Sequence, residues 1–253
     1  MDHQEYCRIV PGAKCAFLFL HGIVSTPRHF DAFIELVPKN ISIRALLLDG
    51  HGKSVRDFGR SSMEKWEAQV QQAIDELCAH HQRIYLVAHS MGTLFSICHA
   101  AKNQKIAGLF LLASPLKVFV RPRMFVSTAQ IYFDRIHPRD EVAQAMRDDL
   151  SVQISKNPFH YIRWIPRFLE LFGKIYRTRK EIGKLQIPVY AYPSVKDELV
   201  SIKSVKYLKR NPNIRIIPLP NSLHSYYDKQ DMALLLEEFQ AFLDKWGLPS
   251  SNR

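Results

Sequence analysis

Short, wholly apolar runs alternate along this chain with longer segments whose apolar residues recur every three or four positions. Cys15 to Leu20 (CAFLFL) is apolar throughout and bounded by Gly12 and Gly22, the pattern of a strand buried on both faces. Arg28 to Val37 places Phe30, Phe33, Ile34 and Val37 at helical spacing, and Ile41 to Leu48 reads as the next strand. Ser61-Ser62-Met63-Glu64 reads as a capping box, with Ser61 as cap and Glu64 reaching back. It opens a helix that ends near His80 and carries Met63, Trp66, Val70, Ile74 and Leu77 on one face. Arg83 to His89 is a strand, Met91 to Ala101 a helix, and Lys105 to Ala113 a strand again.

After Pro115 the alternation stops. An aromatic, basic, proline-punctuated stretch without strand signals runs to about Gly183 and reads as a helical insertion. The alternation then resumes with a strand at Ile187 to Tyr192, a helix at Ser201 to Arg210 and a strand at Ile214 to Leu219. A last helix, Asp231 to Trp246, turns Met232, Leu235, Leu236, Phe239, Phe242 and Leu243 inward. This order predicts an α/β fold: a doubly wound, mostly parallel sheet covered on both faces, with right-handed crossovers. The expected division is a core of residues 1–114 and 185–253 and a helical cap of residues 115–184.

Composition changes this picture in three places. At 253 residues the chain fits one sizeable domain, and 47% hydrophobic with 23% charged residues is ordinary for a globular protein. Four widely spaced cysteines, Cys7, Cys15, Cys78 and Cys98, lack the pairing of a zinc site or redox dithiol and read as reduced thiols. With no signal-like start and no long apolar run, cytoplasm is the expected compartment. The net charge of +11 is concentrated in the insertion, where Pro115 to Leu185 holds fourteen Lys/Arg against seven Asp/Glu. A basic excess on a cap, without a nucleic-acid motif, makes nucleic acid a poor partner and an anionic membrane or lipid a candidate for peripheral contact.

In a sheet of this kind ligands bind beyond the carboxyl ends of the strands, and the unusual residues lie in those loops. Ala88-His89-Ser90-Met91-Gly92, between strand and helix, reads as a nucleophile elbow with alanine in place of the first glycine. Small residues two before and two after the serine let strand and helix approach. A serine opening a helix could also be only an N-cap. As a nucleophile it needs a base and a group to orient that base. Asp197 follows the strand ending near Tyr192, and His224 follows the next strand, completing the order Ser, acid, His. Glu198 is the rival acid. Backbone amides of Ile23 and Met91 are the expected oxyanion donors, with Gly22 allowing close approach and His21 bracing the loop. His51, among glycines, reads as part of a structural turn, since neither P-loop spacing nor a ligand cluster accompanies it.

Through FLFLHG at 17–22, DGHGKS at 49–54, AHSMG at 88–92, KDELV at 196–200 and NSLH at 221–224, the chain resembles the α/β-hydrolase superfamily. Within it, the capped monoacylglycerol lipases and small bacterial carboxylesterases are the nearest pattern. The resemblance implies a Ser90, Asp197, His224 triad, oxyanion donors Ile23 and Met91, and a cap over the pocket. It departs at Ala88 and in a short N-terminus with room for one strand before Cys15. The expected activity is hydrolysis of a small-molecule acyl ester without metal or organic cofactor. A thioesterase, an acyltransferase, an aminopeptidase or a non-catalytic binding module on the same frame are the alternatives. The cap is expected to be mobile, divided by Pro122, Pro138, Pro158 and Pro166, with Trp164 and Phe168 facing the acyl chain.

Overall fold

The computed structural model describes residues 3–246. Seven strands form one sheet in the order β1-β3-β2-β4-β5-β6-β7, where β1 is Tyr6–Arg8, β2 Cys15–Leu20, β3 Ser42–Leu46, β4 Arg83–His89, β5 Ile106–Leu112, β6 Val189–Tyr192 and β7 Ile214–Ile216. Only β1 runs antiparallel, pairing with β3, and the other pairs are parallel. Among the described residues, β1 is one short strand ahead of β2.

The strand periodicity divides the core into two layers. Ala16, Leu18, Leu20, Ile84, Leu86, Ala88, Leu109 and Leu111 face one side. There they meet the helices α2 (Val55–Arg60), α3 (Met63–His80) and α4 (Met91–Ala100). Phe17, Phe19, Tyr85, Val87, Phe110 and Leu112 face the other side, against α1 (Asp31–Leu36) and α9 (Lys229–Lys245). That second layer is largely aromatic: Phe110 sits edge-on to Phe239 at 5.2 Å between ring centres and Phe17 stacks on Tyr85 at 5.1 Å. Edge-on and offset pairs of this kind contribute about 0.5–1.5 kcal/mol each beyond burial.

Between β5 and β6 lie α5 (Pro122–Tyr132), α6 (Glu141–Asp149), a 3-10 turn at Pro158–Arg163 and α7 (Trp164–Glu181), and α8 (Val205–Leu208) follows β6. Among the described residues no helix is long and apolar enough to cross a membrane.

Local chemistry moves some boundaries. The cap of α3 is Ser62, whose hydroxyl accepts the Lys65 amide, while Ser61 ends an unpredicted helix, α2. The capping box belongs to α2, where Ser54 and Asp57 bond reciprocally. Ser61 is the C-terminal cap of α2, its backbone amide bonding the Phe58 carbonyl, and its buried hydroxyl reaches no amide of α3. Pro122 and Pro158 open helical turns, but Pro166 lies in the first turn of α7 and does not break it, because no amide is required there.

The second half of α7 is fastened to the core. Buried Lys174 pairs with Glu67 of α3 and lies over the Phe95 ring, the Thr178 hydroxyl meets Cys98 Sγ at 3.4 Å, and Arg179 Nε donates to the Leu116 carbonyl at 2.7 Å. These anchors oppose the expectation that the whole insertion shifts as a unit.

Candidate active site

Ser90 occupies the turn between β4 and α4 with φ +49° and ψ −120°, a region that costs a non-glycine residue about 1–3 kcal/mol. Its surroundings impose that conformation. The Ser90 amide donates to the Leu112 carbonyl at 3.0 Å, and its own carbonyl accepts the Thr93 amide at 2.9 Å and hydroxyl at 2.7 Å. A Cβ on Gly92 would drive into the Leu20 carbonyl oxygen, and one on Gly22 would meet Ser90 Cβ at 3.0 Å. Both glycines therefore set how closely α4 and the loop after β2 approach the serine.

The Ser90 hydroxyl lies 3.0 Å from His224 Nε2, and His224 Nδ1 lies 2.9 Å from Asp197 Oδ2. Asp197 is fixed in turn: its Oδ1 accepts the amides of Leu199 at 2.8 Å and Val200 at 2.7 Å. Serine, histidine and aspartate, brought from three loops, thus form one continuous hydrogen-bonded line. Glu198 takes a different place. Its carboxylate accepts the His224 backbone amide at 3.1 Å, and His89 Nε2 donates to the His224 carbonyl at 3.0 Å, so both hold the histidine's backbone and leave its ring to Asp197. Burial, the largest influence, pushes the His224 pKa down, but Asp197, then Glu198 and Asp149, more than offset it and leave the pKa above the ordinary value.

Ile23 follows Gly22 beside the serine, and Met91 is the first residue of α4, where a helix amide has no intrahelical partner. Among the described residues neither amide finds an acceptor within the protein. The loop carrying Ile23 is braced from below. His51 Nε2 accepts the Val24 amide at 3.2 Å, His21 Nε2 accepts the Leu48 amide at 3.1 Å, and the rings meet edge to face. Burial lowers both pKa values, that of His21 to about 4, so both rings stay neutral as these acceptor roles require.

Above Ser90 lies a cavity of about 450 Å³, lined by apolar side chains that include Val118, Met124, Phe125, Leu171, Phe172 and Val200. Trp164 and Phe168 line it as well. Trp164 is pinned there by its indole N–H, which donates to the Val55 carbonyl at 3.0 Å, and by packing on Phe58. Despite the net charge of +11, no Lys or Arg is among the described residues lining this cavity; its carboxylates are Asp149 and Glu198.

Among the described residues, His29, His89 and Asp149 come closest to a metal constellation, with donor atoms within 4.8 Å of one another. The rings of His29 and His89 stack at 3.9 Å with planes 21° apart, so one ion could not lie in both ring planes, where imidazole lone pairs point. Asp149 escaped the sequence reading, as did its partners Ser25, His29 and Ser225. It stands in no motif and in the insertion, and only folding brings it to residues more than 70 positions away.

The chain matches the family model described as serine aminopeptidase, S33, over residues 11–225. No curated protein matches it significantly by sequence. Among solved structures, it is similar to one from work on the metagenome-derived lipolytic enzymes LipS and LipT, at 17% identity and TM-score 0.73, covering 96% of this chain and 98% of that one. A monoacylglycerol lipase of Paleococcus ferrophilus aligns at 18% identity and TM-score 0.69, covering 96% and 99%. Est1E of Butyrivibrio proteoclasticus, solved with ferulic acid bound, aligns at 20% identity and TM-score 0.65, covering 96% and 94%. At these identities the structures share the fold.

Proposed function

The chain belongs to the serine aminopeptidase S33 family of the α/β-hydrolase superfamily, and from that premise we propose that it hydrolyses carboxylic esters of uncharged, largely apolar acyl groups. Ser90 is the nucleophile, His224 the base and Asp197 the acid that orients it. The observation that carries the reading is the serine–histidine–aspartate line, at 3.0 and 2.9 Å, on the floor of a cavity whose walls are apolar.

In this mechanism the Ser90 hydroxyl gives its proton to His224 Nε2 as Oγ attacks the ester carbonyl. The carbonyl oxygen becomes an anion facing the Ile23 and Met91 amides. Collapse breaks the bond to the alcohol oxygen, which takes the proton from His224 and leaves an acyl-Ser90. Water then repeats the steps: it yields a proton to His224, attacks the acyl carbon, and releases the carboxylic acid and free serine. Trp164 and Phe168 bear on the acyl chain from the cap.

The same residues support an ester over the peptide substrates of an aminopeptidase. An aminopeptidase needs a carboxylate free to pair with a substrate ammonium group. Asp149 is already bonded by Ser25, His29 and Ser225, and Glu198 by the His224 amide. The four cysteines are free thiols, in keeping with the reducing cytoplasm expected. Exposed Phe125, Phe159, Ile165 and Leu169 lie on a cap that also carries Arg123 and Arg163, which favours peripheral contact with an anionic lipid surface.

Fluorophosphonate labelling tests the reading. We expect modification of Ser90 in the folded protein, and turnover of a p-nitrophenyl ester series that rises from acetate to medium chains. Folded protein that neither labels nor turns over any ester or thioester would leave the binding-module alternative.

A further inference from the structure

The last residue of α6 is an aspartate, Asp149, preceded by another, Asp148. Helix C-termini disfavour negative charge, by about 0.3–1 kcal/mol at exposed positions, so tertiary contacts must hold the ionised carboxylate there. Asp149 is largely buried at the edge of the cavity above Ser90. Its Oδ1 accepts the Ser25 hydroxyl at 2.6 Å and pairs with His29 Nδ1 at 3.1 Å, and its Oδ2 accepts the Ser225 hydroxyl at 2.8 Å. His29 is itself held, by the Tyr227 hydroxyl at 3.1 Å and by stacking on His89. Burial, the largest influence, raises the Asp149 pKa, but His29, His89 and the Ser25 hydroxyl together bring it well below the usual carboxylate range, so the carboxylate is ionised.

The residues grasped in this way are not scattered. Ser25 lies two residues after Ile23, and Ser225 directly follows His224. Between Ile23 and Ser25, Val24 adopts φ +56°, a strained conformation for a β-branched residue. Two residues past Asp149, Ser151 completes the grip: its amide and hydroxyl donate to the Val24 carbonyl at 2.8 and 3.1 Å. The end of α6 thus reaches down and fastens the oxyanion loop and the histidine loop to each other.

We propose that Asp149 is a positioning residue, supplied by the cap, that clamps the loop carrying the Ile23 amide to the loop carrying His224. The inference rests on the serine-hydrolase reading above. Asp149 touches no reacting atom; it acts by holding the two loops in register with Ser90, so its loss weakens the transition state more than the bound substrate.

The test compares Asp149→Ala, Asp149→Asn, Ser25→Ala and Ser225→Ala with the wild type. The readouts are kcat and KM on p-nitrophenyl butanoate, the affinity of a butyl trifluoromethyl ketone, which forms a tetrahedral adduct on the serine, and the melting temperature. For Asp149→Ala we expect kcat to fall about 30- to 300-fold with KM within about threefold, since one oxyanion donor alone is worth about 100- to 1,000-fold. Ketone affinity falls in parallel. Asp149→Asn keeps one acceptor oxygen and recovers part of the loss, and the two serine variants each lose about 3- to 20-fold. Should Asp149→Ala fail to fold, the serine variants, which each remove a single hydroxyl, decide the matter. Variants that lose melting temperature but keep kcat and ketone affinity, in an enzyme whose wild type labels and turns over, would overturn this inference alone. A wild type that does neither overturns the hydrolase reading, and this inference with it.

Discussion

At the carboxyl edge of β4 every polar group of Ser90 is engaged: its amide with Leu112, its carbonyl with Thr93, its hydroxyl with His224. Across the cavity, α5 leaves Phe125 67% and Val126 59% exposed, and Phe159 of the turn before α7 is 74% exposed. The sheet edge is over-determined, with two packed layers beneath it, whereas the cap has only what its helices find on the surface they cover. In the proposed reaction, chemistry that depends on tenths of an ångström is assigned to the first region and recognition of the acyl group to the second. Among the places where the two are joined, Asp149 to Ser151 meets both the loop after β2 and the loop carrying His224.

Substitutions should separate the two regions, the most drastic at the sheet edge. Ser90→Ala should remove ester turnover by about a millionfold at unchanged melting temperature, because no other nucleophile is in line. Asp197→Asn should cost about 10³- to 10⁴-fold in kcat by releasing the His224 ring. Glu198→Gln, which keeps an acceptor for the His224 amide, should remain within about tenfold. A silent Asp197→Asn beside a crippled Glu198→Gln would reverse the assignment of the acid.

Acid should strike the same region. His21 is neutral in the native state, with its pKa lowered by burial to about 4 from 6.5. Between those values the unfolded chain binds the proton that the native state refuses, so stability is full above pH 6.5 and falls as the pH drops toward 4. His21 alone accounts for a loss on the order of 3 kcal/mol. Urea midpoints at pH 7 and 4.5 would show it, and equal midpoints would refute it. Activity has a separate limb: kcat/KM should rise with pH through an apparent pKa above 6.5, because His224 must be neutral to accept the serine proton and its acidic neighbours raise its pKa. A profile flat from pH 5 to 9 with chemistry rate-limiting would remove the histidine base.

Effects in the cap should be smaller and depend on the substrate. Trp164→Ala or Phe168→Ala should impair octanoate esters by about 1–3 kcal/mol more than acetate esters, since only a long chain reaches them. Equal losses on both would reduce the cap to a structural cover. The smallest change contrasts two glycines. Gly92→Ala should prevent folding, with the Leu20 carbonyl in its way. Gly173→Ala, inside α7 with only the far end of Arg177 near its Cβ, should raise stability by about 0.5–1 kcal/mol in a thermal melt.

The strands were legible from sequence because burial on both faces leaves unbroken apolar runs: Cys15–Leu20 was bounded to the residue, and Arg83–His89 likewise. Ser90, Asp197 and His224 stood out for a related reason. In a parallel sheet each loop leaving a strand opens on the same edge, so position along the chain already implies a shared neighbourhood. Local rivalry hid the cap of α3, where Ser61 and Ser62 are equally good candidates until α2 takes the first. The anchoring of α7 by Lys174, the bracing of Val24 by His51, and the reach of Asp149 to Ser25, His29 and Ser225 left no trace in periodicity. Each depends on polar contacts between segments far apart in sequence. Hydrophobic periodicity records which face of an element is buried; which carboxylate meets which hydroxyl is settled only when the helices pack.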